Sequence, residues 1–492
     1  MPADTKHKDF EKYQETYQKI RDCKAGESAV KIAGEAYLPK LTGQKPAAYE
    51  RYIARGSFYN AMGRTVNALT GLVMRKEPMF EVPKEIEDDL ENITSNNLSI
   101  IELTRECIEA ALSYARQGLL VDADNTGKKV FIAVYDAMSI INWRMQVIDG
   151  EEKLTMLVLQ ETCSKIDDKD KFVTKDIPQV RVLQLEGEDQ EGVIPGKLIV
   201  KVYQKKEQSS NWEQVGEDMM PNIQNKRLDY IPFVFIGAMA NEISPEKPPL
   251  ADLATLNIGH WRMEVDYKHG LHLCAIPTPW AAGFPKNAEL YIGPEKAWVT
   301  EEIGATCGYL EFTGQGLSAI KEALERAEQH MATMGSRVLE QQKKSQEAFA
   351  TVKSRQGSDS ATLENIAGTV EKGLEKALTL YSLWKGRGDV EIEVTLNRDF
   401  VDVELNPQQL TAMLAAVQAG KMSTDSFLWN LKRGELISPD KSIEDELSEI
   451  ELEREMNGFD EEEEEDNLTP EEKAAADKKK ADDEAKKKGD KV

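Results

Sequence analysis

Long apolar runs are missing from this chain of 492 residues. The longest, from Tyr230 to Ala240, is broken by Pro232 and falls well short of the ~18–20 apolar residues that cross a bilayer. A membrane-spanning helix is therefore excluded. The opening MPADTKHKDFEKYQ is charged and offers no apolar stretch of the kind that directs export, so the protein is expected to stay in the compartment where it is made. Cysteine is scarce. Cys23, Cys107, Cys163, Cys274 and Cys307 are odd in number, far apart and never in a C-x-x-C pair. That spacing argues against a disulfide framework and a zinc site, and predicts reduced structural thiols. Catalytic signatures are absent too. There is no G-x-x-x-x-G-K-(S/T), no H-E-x-x-H, no G-x-S-x-G and no carboxylate-rich metal motif in an ordered context. No cofactor, no metal and no enzymatic activity are expected.

What is abundant is acid. Sixty-two basic residues stand against 87 acidic ones, a net charge of −25. A surface that grips nucleic acid by neutralising phosphates should be basic. An acidic chain can still handle DNA if its task is to let DNA pass without sticking, since like charges lower the contact energy. The length allows two or three domains with a substantial core.

Apolar spacing predicts helices over residues 8–75, with Tyr49, Ile53, Val66, Leu69 and Val73 at three- or four-residue steps. A further helix is predicted from Ile100 to Gln117, with Leu103, Cys107, Ala110 and Tyr114 on one face and Gly118 ending it. From residue 119 to about 237, β-branched and aromatic runs alternate with turn clusters such as DNTGKK and GEDQEG, an antiparallel β pattern. Pro248 and Pro249 open another helix, which the Pro277–Pro279 pair stops near Leu273. Short strands and turns fill residues 275–314.

Gly314, Gly316 and Ala319 then fit the G-x-G-x-x-(G/A) spacing that seats a pyrophosphate on a helix N-terminus. A dinucleotide site needs a buried parallel strand before the loop and a second strand within ~30 residues. Here GYLEF is short and carries Glu311, and no apolar second strand follows. The glycines read better as a tight turn from strand to helix. Behind them Leu317, Ile320, Leu324, Ala327, Met331, Met334 and Val338 form a heptad seam. A second long helix carries the stripe Leu363, Ile366, Val370, Leu374, Ala377, Tyr381 and Trp384. The plain reading of both stripes is a bundle within one subunit. The sharper one is a ring, in which copies side by side cover the narrow apolar edges. Between the helices lies an apolar-poor segment with Lys343, Lys344, Lys353 and Arg355, read as a basic loop.

This order of elements resembles a tailed-phage portal protein. The phrases FYNAMGRTVNALTGLVMRKEP, ADLATLNIGHWRMEVDYKHGLH with its IPTP follow-on, and GQGLSAIKEAL are similar to a portal-like phage family. The resemblance covers roughly residues 10–435 and implies an α+β portal fold. Residues 1–125 would be the helical part of a wing and 126–247 its β-rich part. A first stem helix would take 248–273, a clip 274–315, and a second stem helix 316–342. A channel loop would occupy 343–360, a long channel-wall helix and wing strand 361–405, and crown helices 406–437. The family implies a homo-oligomeric ring, usually of twelve subunits, at one capsid vertex of the virion, assembled in the bacterial host cytoplasm. Double-stranded DNA would pass through it without sequence readout. The implied partners are the terminase large subunit, a head-completion or tail adaptor and the major capsid protein, with no membrane. By position, Lys343, Lys344, Lys353 and Arg355 would be the channel-loop contacts.

Three further features are weighed. His260, His269 and His272 fall near one another on the first stem helix, but no third ligand is placed, so packing or hydrogen bonding at a subunit contact is expected. Residues 408–436 mimic a DNA-reading helix-turn-helix, yet Asp425, Phe427, Leu428 and Trp429 suit packing rather than phosphate contact. Residues 438–492, with the acid run 460–466, bury too little to order themselves and read as mostly disordered. Two other functions stay open: a nucleotide-binding enzyme using the Gly314–Gly316–Ala319 turn, and a monomeric scaffold or adaptor.

Overall fold

The computed structural model describes residues 2–124, 129–148, 150–167, 170–186, 196–205, 211–276, 278–285, 288–291, 297–310, 314–336, 349–388, 390–398, 400, 407–433, 436 and 442–457. They fall in two compact units, Met1–Phe400 and Val401–Val492.

The first unit is α+β. It opens with helices α1 (Lys8–Ala25), α2 (Glu27–Ala33), α3 (Pro46–Arg55) and α4 (Ala61–Val73). Strand β1 (Met79–Glu81), the short α5 (Lys84–Glu87) and α6 (Ile100–Tyr114) follow. Next come β2 (Arg116–Ala123), β3 (Val130–Asp136), β4 (Ile140–Ile148), β5 (Glu151–Ile166), β6 (Thr174–Glu186), β7 (Lys197–Lys205) and β8 (Trp212–Gln214). The strands β9 (Asn222–Ile223), β10 (Lys226–Arg227) and β11 (Phe233–Gly237) lead to α7 (Ala251–Ala275). The unit closes with β12 (Thr278–Ala282), β13 (Thr306–Leu310), α8 (Leu317–Met331), α9 (Phe349–Trp384) and β14 (Glu393–Thr395).

Every named strand pair is antiparallel. One sheet has the order β11-β2-β3, and a second is the meander β4-β5-β6-β7-β8. Strand periodicity explains why LLV and FVFI run apolar without a break. Leu119, Val121, Val234 and Ile236 face a core built with α6, α7 and α9, whereas Leu120, Phe233 and Phe235 face a second core against the meander. The first sheet is thus buried on both sides.

Local chemistry sets the helix ends. Ser99 and Glu102 form a reciprocal capping box at the start of α6. This helix stops at Ala115, which is left-handed at φ 52°, three residues before the expected Gly118. Gln117 and Gly118 belong to β2 instead. Gly118 is there for space, since a Cβ would overlap the Phe233 ring.

The largest departure lies at α9. The sequence reading ends a loop at residue 360, but the helix already begins at Phe349. Residues 349–360 contain no proline, and their single glycine, Gly357, costs a helix only about 1 kcal/mol. The second stem helix, expected over residues 316–342, is described as far as Ser336, and residues 337–342 lie outside the described residues. Its α-helical part ends at Met331 and continues as one π-helical turn, Ala332–Ser336. That turn approaches α4 so closely that a Cβ on Gly335 would overlap Thr65.

The second unit has α10 (Pro407–Gln418), α11 (Thr424–Arg433) and α12 (Ile443–Asn457). α12 corrects part of the tail expected to be disordered. Ser442 Oγ accepts from the Asp445 amide at 2.9 Å, and Glu444, Asp445 and Glu446 complement the helix dipole. The acid run 460–466 lies outside the described residues.

Candidate functional site

α7 and α8 form an antiparallel pair. Gly270, near the end of α7, faces Leu317 at the start of α8, and a Cβ on Gly270 would come within 2.6 Å of the Leu317 side chain. One end on, His260 Nε2 meets Glu328 Oε1 at 3.2 Å. The sequence-predicted seam lies along this contact. Leu324, Ala327 and Met331 are buried, Leu317 and Ile320 are half-buried, and Met334 is exposed in the π-turn. Val338 lies outside the described residues.

α7 of the same chain covers the central part of the heptad seam, as the reading of a bundle within one subunit expects. The stripe on α9 goes further: Leu363, Ile366, Val370, Leu374, Ala377 and Tyr381 are all within the core of the first unit, with Trp384 packed against it. Periodicity reports which face is buried but not by whom.

α7 itself is fastened to the N-terminal helices by polar groups. Asn257 is fully buried, donates to the Tyr59 carbonyl at 2.8 Å and accepts from the Met62 amide at 3.2 Å. Tyr52 OH donates to Asp266. His269 lies edge-on to Tyr52 with ring centroids 5.2 Å apart, and its Nδ1 is 3.5 Å from Arg55. Burial, and then the neighbouring Arg55 charge, hold His269 below the ordinary imidazole range. His260 and His269 thus take partners within the chain. Among the described residues no group of three His, Cys, Asp or Glu side chains is placed to hold a metal.

The glycine turn has a packing role. Gly314 sits at φ 65°, where an L side chain is strained, and a Cβ would lie 3.1 Å from Cys274 Sγ. The preceding strand β13 pairs antiparallel with β12 in a two-stranded ribbon. A dinucleotide site needs a parallel strand and crossover there, which this topology does not supply. Clefts of 520 Å³ and 530 Å³ lie elsewhere, one beside Phe80 and Val390, the other between α1, β3 and β5.

The β12–β13 ribbon is the distinctive surface. Register puts Trp280, Gly308 and Leu310 on one face, and Pro279, Cys307 and Tyr309 on the other. Trp280, Tyr309 and Leu310 are 45%, 57% and 70% exposed, so both faces are open to solvent in the single chain. Nearby Ile276, Val299 and Ile303 are exposed as well. Cys307 is exposed, contrary to the expectation of structural thiols, whereas Cys23 and Cys107 are buried.

Of the expected DNA contacts, Lys343 and Lys344 lie outside the described residues. Lys353 and Arg355 fall on the early turns of α9 rather than on a loop. In the second unit, Gly420 at φ 65° turns the chain between α10 and α11. Asp425 is exposed at the start of α11 and Leu428 is buried.

A feature with little sequence signal holds α9 to the sheet edge. Glu371 accepts from the Leu396 amide at 2.8 Å, and Glu375, one turn on, accepts from the Val394 amide at 3.2 Å. The two carboxylates stand in for a neighbouring strand along β14, and Arg398 pairs with Glu371. Only the i,i+4 spacing of the two glutamates hints at this.

The profile of a family described as "Domain of unknown function (DUF4055)" matches residues 249–385, which run from the start of α7 to the end of α9. No curated protein matches the chain. Among solved structures, the chain is similar to one from the virion of a native gene transfer agent particle, at 12% identity and TM-score 0.40, over 80% of this chain and 96% of that one. It is also similar to chains from two particle necks. One, from an empty particle computed with C6 symmetry, has 11% identity and TM-score 0.38 over 80% and 95% of the two chains. The other, from a native particle computed with C12 symmetry, has 12% identity and TM-score 0.35 over 81% and 97%. TM-scores of this size define no shared fold.

Proposed function

We propose that the protein is a portal-type subunit of a virion. It would form a homo-oligomeric ring, of about twelve copies as the family resemblance implies, through which double-stranded DNA passes. The single observation that carries this reading is the β12–β13 ribbon, set between the antiparallel helices α7 and α8 and apolar on two exposed faces. An isolated two-stranded ribbon is marginal in water, and exposed Trp, Tyr and Leu at this density call for a cover. Copies arranged about an axis give each ribbon a neighbour on either side.

The order of elements along the chain supports the same reading, as do the portal-like phrases it shares. A net charge of −25 suits a conduit that repels phosphates. Lys343, Lys344, Lys353 and Arg355 would supply sparse, sequence-blind contacts to the DNA backbone. Terminase, an adaptor and the major capsid protein are the partners this role requires, and the work of packaging would belong to a separate motor.

A monomeric scaffold is the second reading, and the internal burial of both helical stripes favours it. Mass in solution and negatively stained images separate the two. Rings with a central hole are expected. A chain that stays monomeric when concentrated, alone and with capsid components, refutes the portal role.

A further inference from the structure

Arg116 opens β2 and is 2% exposed. Its guanidinium lies between two rings, 4.4 Å from Trp143 of β4 and 4.8 Å from Phe235 of β11. Nη1 donates to the Ile243 carbonyl at 2.6 Å. Nε and Nη2 are buried and meet no protein acceptor. Together these two nitrogens make the fork with which arginine grips a carboxylate or other oxyanion side-on.

The two rings answer only part of the need. A π face attracts a cation lying over it, whereas the N–H groups point out in the guanidinium plane. Arginine stays charged even when buried, and a buried charge without a counter-ion is among the costliest groups in a protein. The Tyr17 hydroxyl of α1 is also buried without a partner, and it is near enough to Arg116 for the two to act on each other through space. Asp9 is the acid that acts on Arg116 from the same helix, but its carboxylate is half-exposed and turned to His7 Nδ1 at 3.5 Å.

We propose that the Nε/Nη2 edge of Arg116 and the Tyr17 hydroxyl form a buried binding site for one small monoanion of chloride size. One positive charge selects a monovalent ion. The ion ties α1 to β2 beside Trp143 and Phe235, so the stability of the first unit follows halide concentration.

The test is thermal unfolding of the full chain at fixed ionic strength as sodium chloride replaces sodium gluconate. A saturable upward shift of roughly 2–4 °C in Tm is expected, with bromide acting alike. Arg116→Met, which keeps an uncharged chain between the two rings, loses the halide-specific shift. Tyr17→Phe moves its midpoint several-fold towards higher chloride. If Arg116→Met does not fold, bromide-soaked crystals of the parent give the answer, with an anomalous peak expected at the Nε/Nη2 edge. No halide-specific shift in the parent, an equal shift in Arg116→Met, or water at that edge in place of bromide overturns the proposal. So does a halide dependence that appears only in Asp9→Asn, since the Asp9 carboxylate would then be the occupant.

Discussion

Replacing Trp280 and Leu310 together by serine probes the proposed ring at one face of the β12–β13 ribbon. Both side chains are exposed in the single chain, Trp280 by 45% and Leu310 by 70%. Their removal should therefore cost the single chain only the share already buried, roughly 2–3 kcal/mol for Trp280 and under about 1 kcal/mol for Leu310. In a ring the same surface is covered. Burying a whole tryptophan removes ~150–250 Å² from water, so the exposed share of Trp280 is worth roughly 2–3 kcal/mol at ~25 cal/mol per Å². A fully buried leucine contributes about 1.5–3 kcal/mol, and the exposed share of Leu310 therefore about 1–2 kcal/mol. The sum, about 3–5 kcal/mol per junction, weakens subunit association by roughly 10²- to 4 × 10³-fold. Mass photometry over a dilution series reads this directly, and thermal unfolding of the monomer serves as the control. If the double variant forms rings at the same concentration as the parent, the ribbon is not the junction and the argument fails.

Three perturbations test the interior. Glu371→Ala leaves the Leu396 amide without its acceptor and should cost about 1–3 kcal/mol, read as lost hydrogen-exchange protection at Val394 and Leu396, while Glu371→Gln keeps an acceptor and recovers part of it. Gly118→Ala drives a methyl into the Phe233 ring and should destabilise by about 1–3 kcal/mol or more in denaturant titration, with Phe233→Leu relieving part of the loss. His269 is held below the usual imidazole range in the folded chain. Below its ordinary value of 6.5 the unfolded chain therefore binds a proton that the folded chain refuses, and stability falls as pH drops from about 7 towards the lowered folded value. His269→Gln should flatten that part of the Tm–pH curve, and an unchanged slope refutes the assignment.

How much was legible in the sequence differs from element to element. The strands from 119 to 237 declared themselves because period-2 alternation and turn residues are local. The α7 boundary was set by the flanking prolines. The early start of α9 was missed because a Ser/Asp-rich stretch reads as a cap even where a helix runs through it. Gly118 was taken for a helix end, since a glycine demanded by the ring of a residue more than a hundred positions away carries no local mark.

By itself the sequence determined composition, charge, the alternation of helical and β regions and which stripe of each helix is apolar. These depend on spacing along the chain and on covalent chemistry. Only the tertiary structure decided what covers each stripe. It gave the α8 seam to α7 and the α9 stripe to a sheet, turned Glu371 and Glu375 onto a strand edge, and left the Arg116 fork without a protein acceptor. It also left the β12–β13 ribbon open on two faces. The physical reason is that burial and pairing are properties of groups meeting in space, and a one-dimensional pattern records only that a partner is needed.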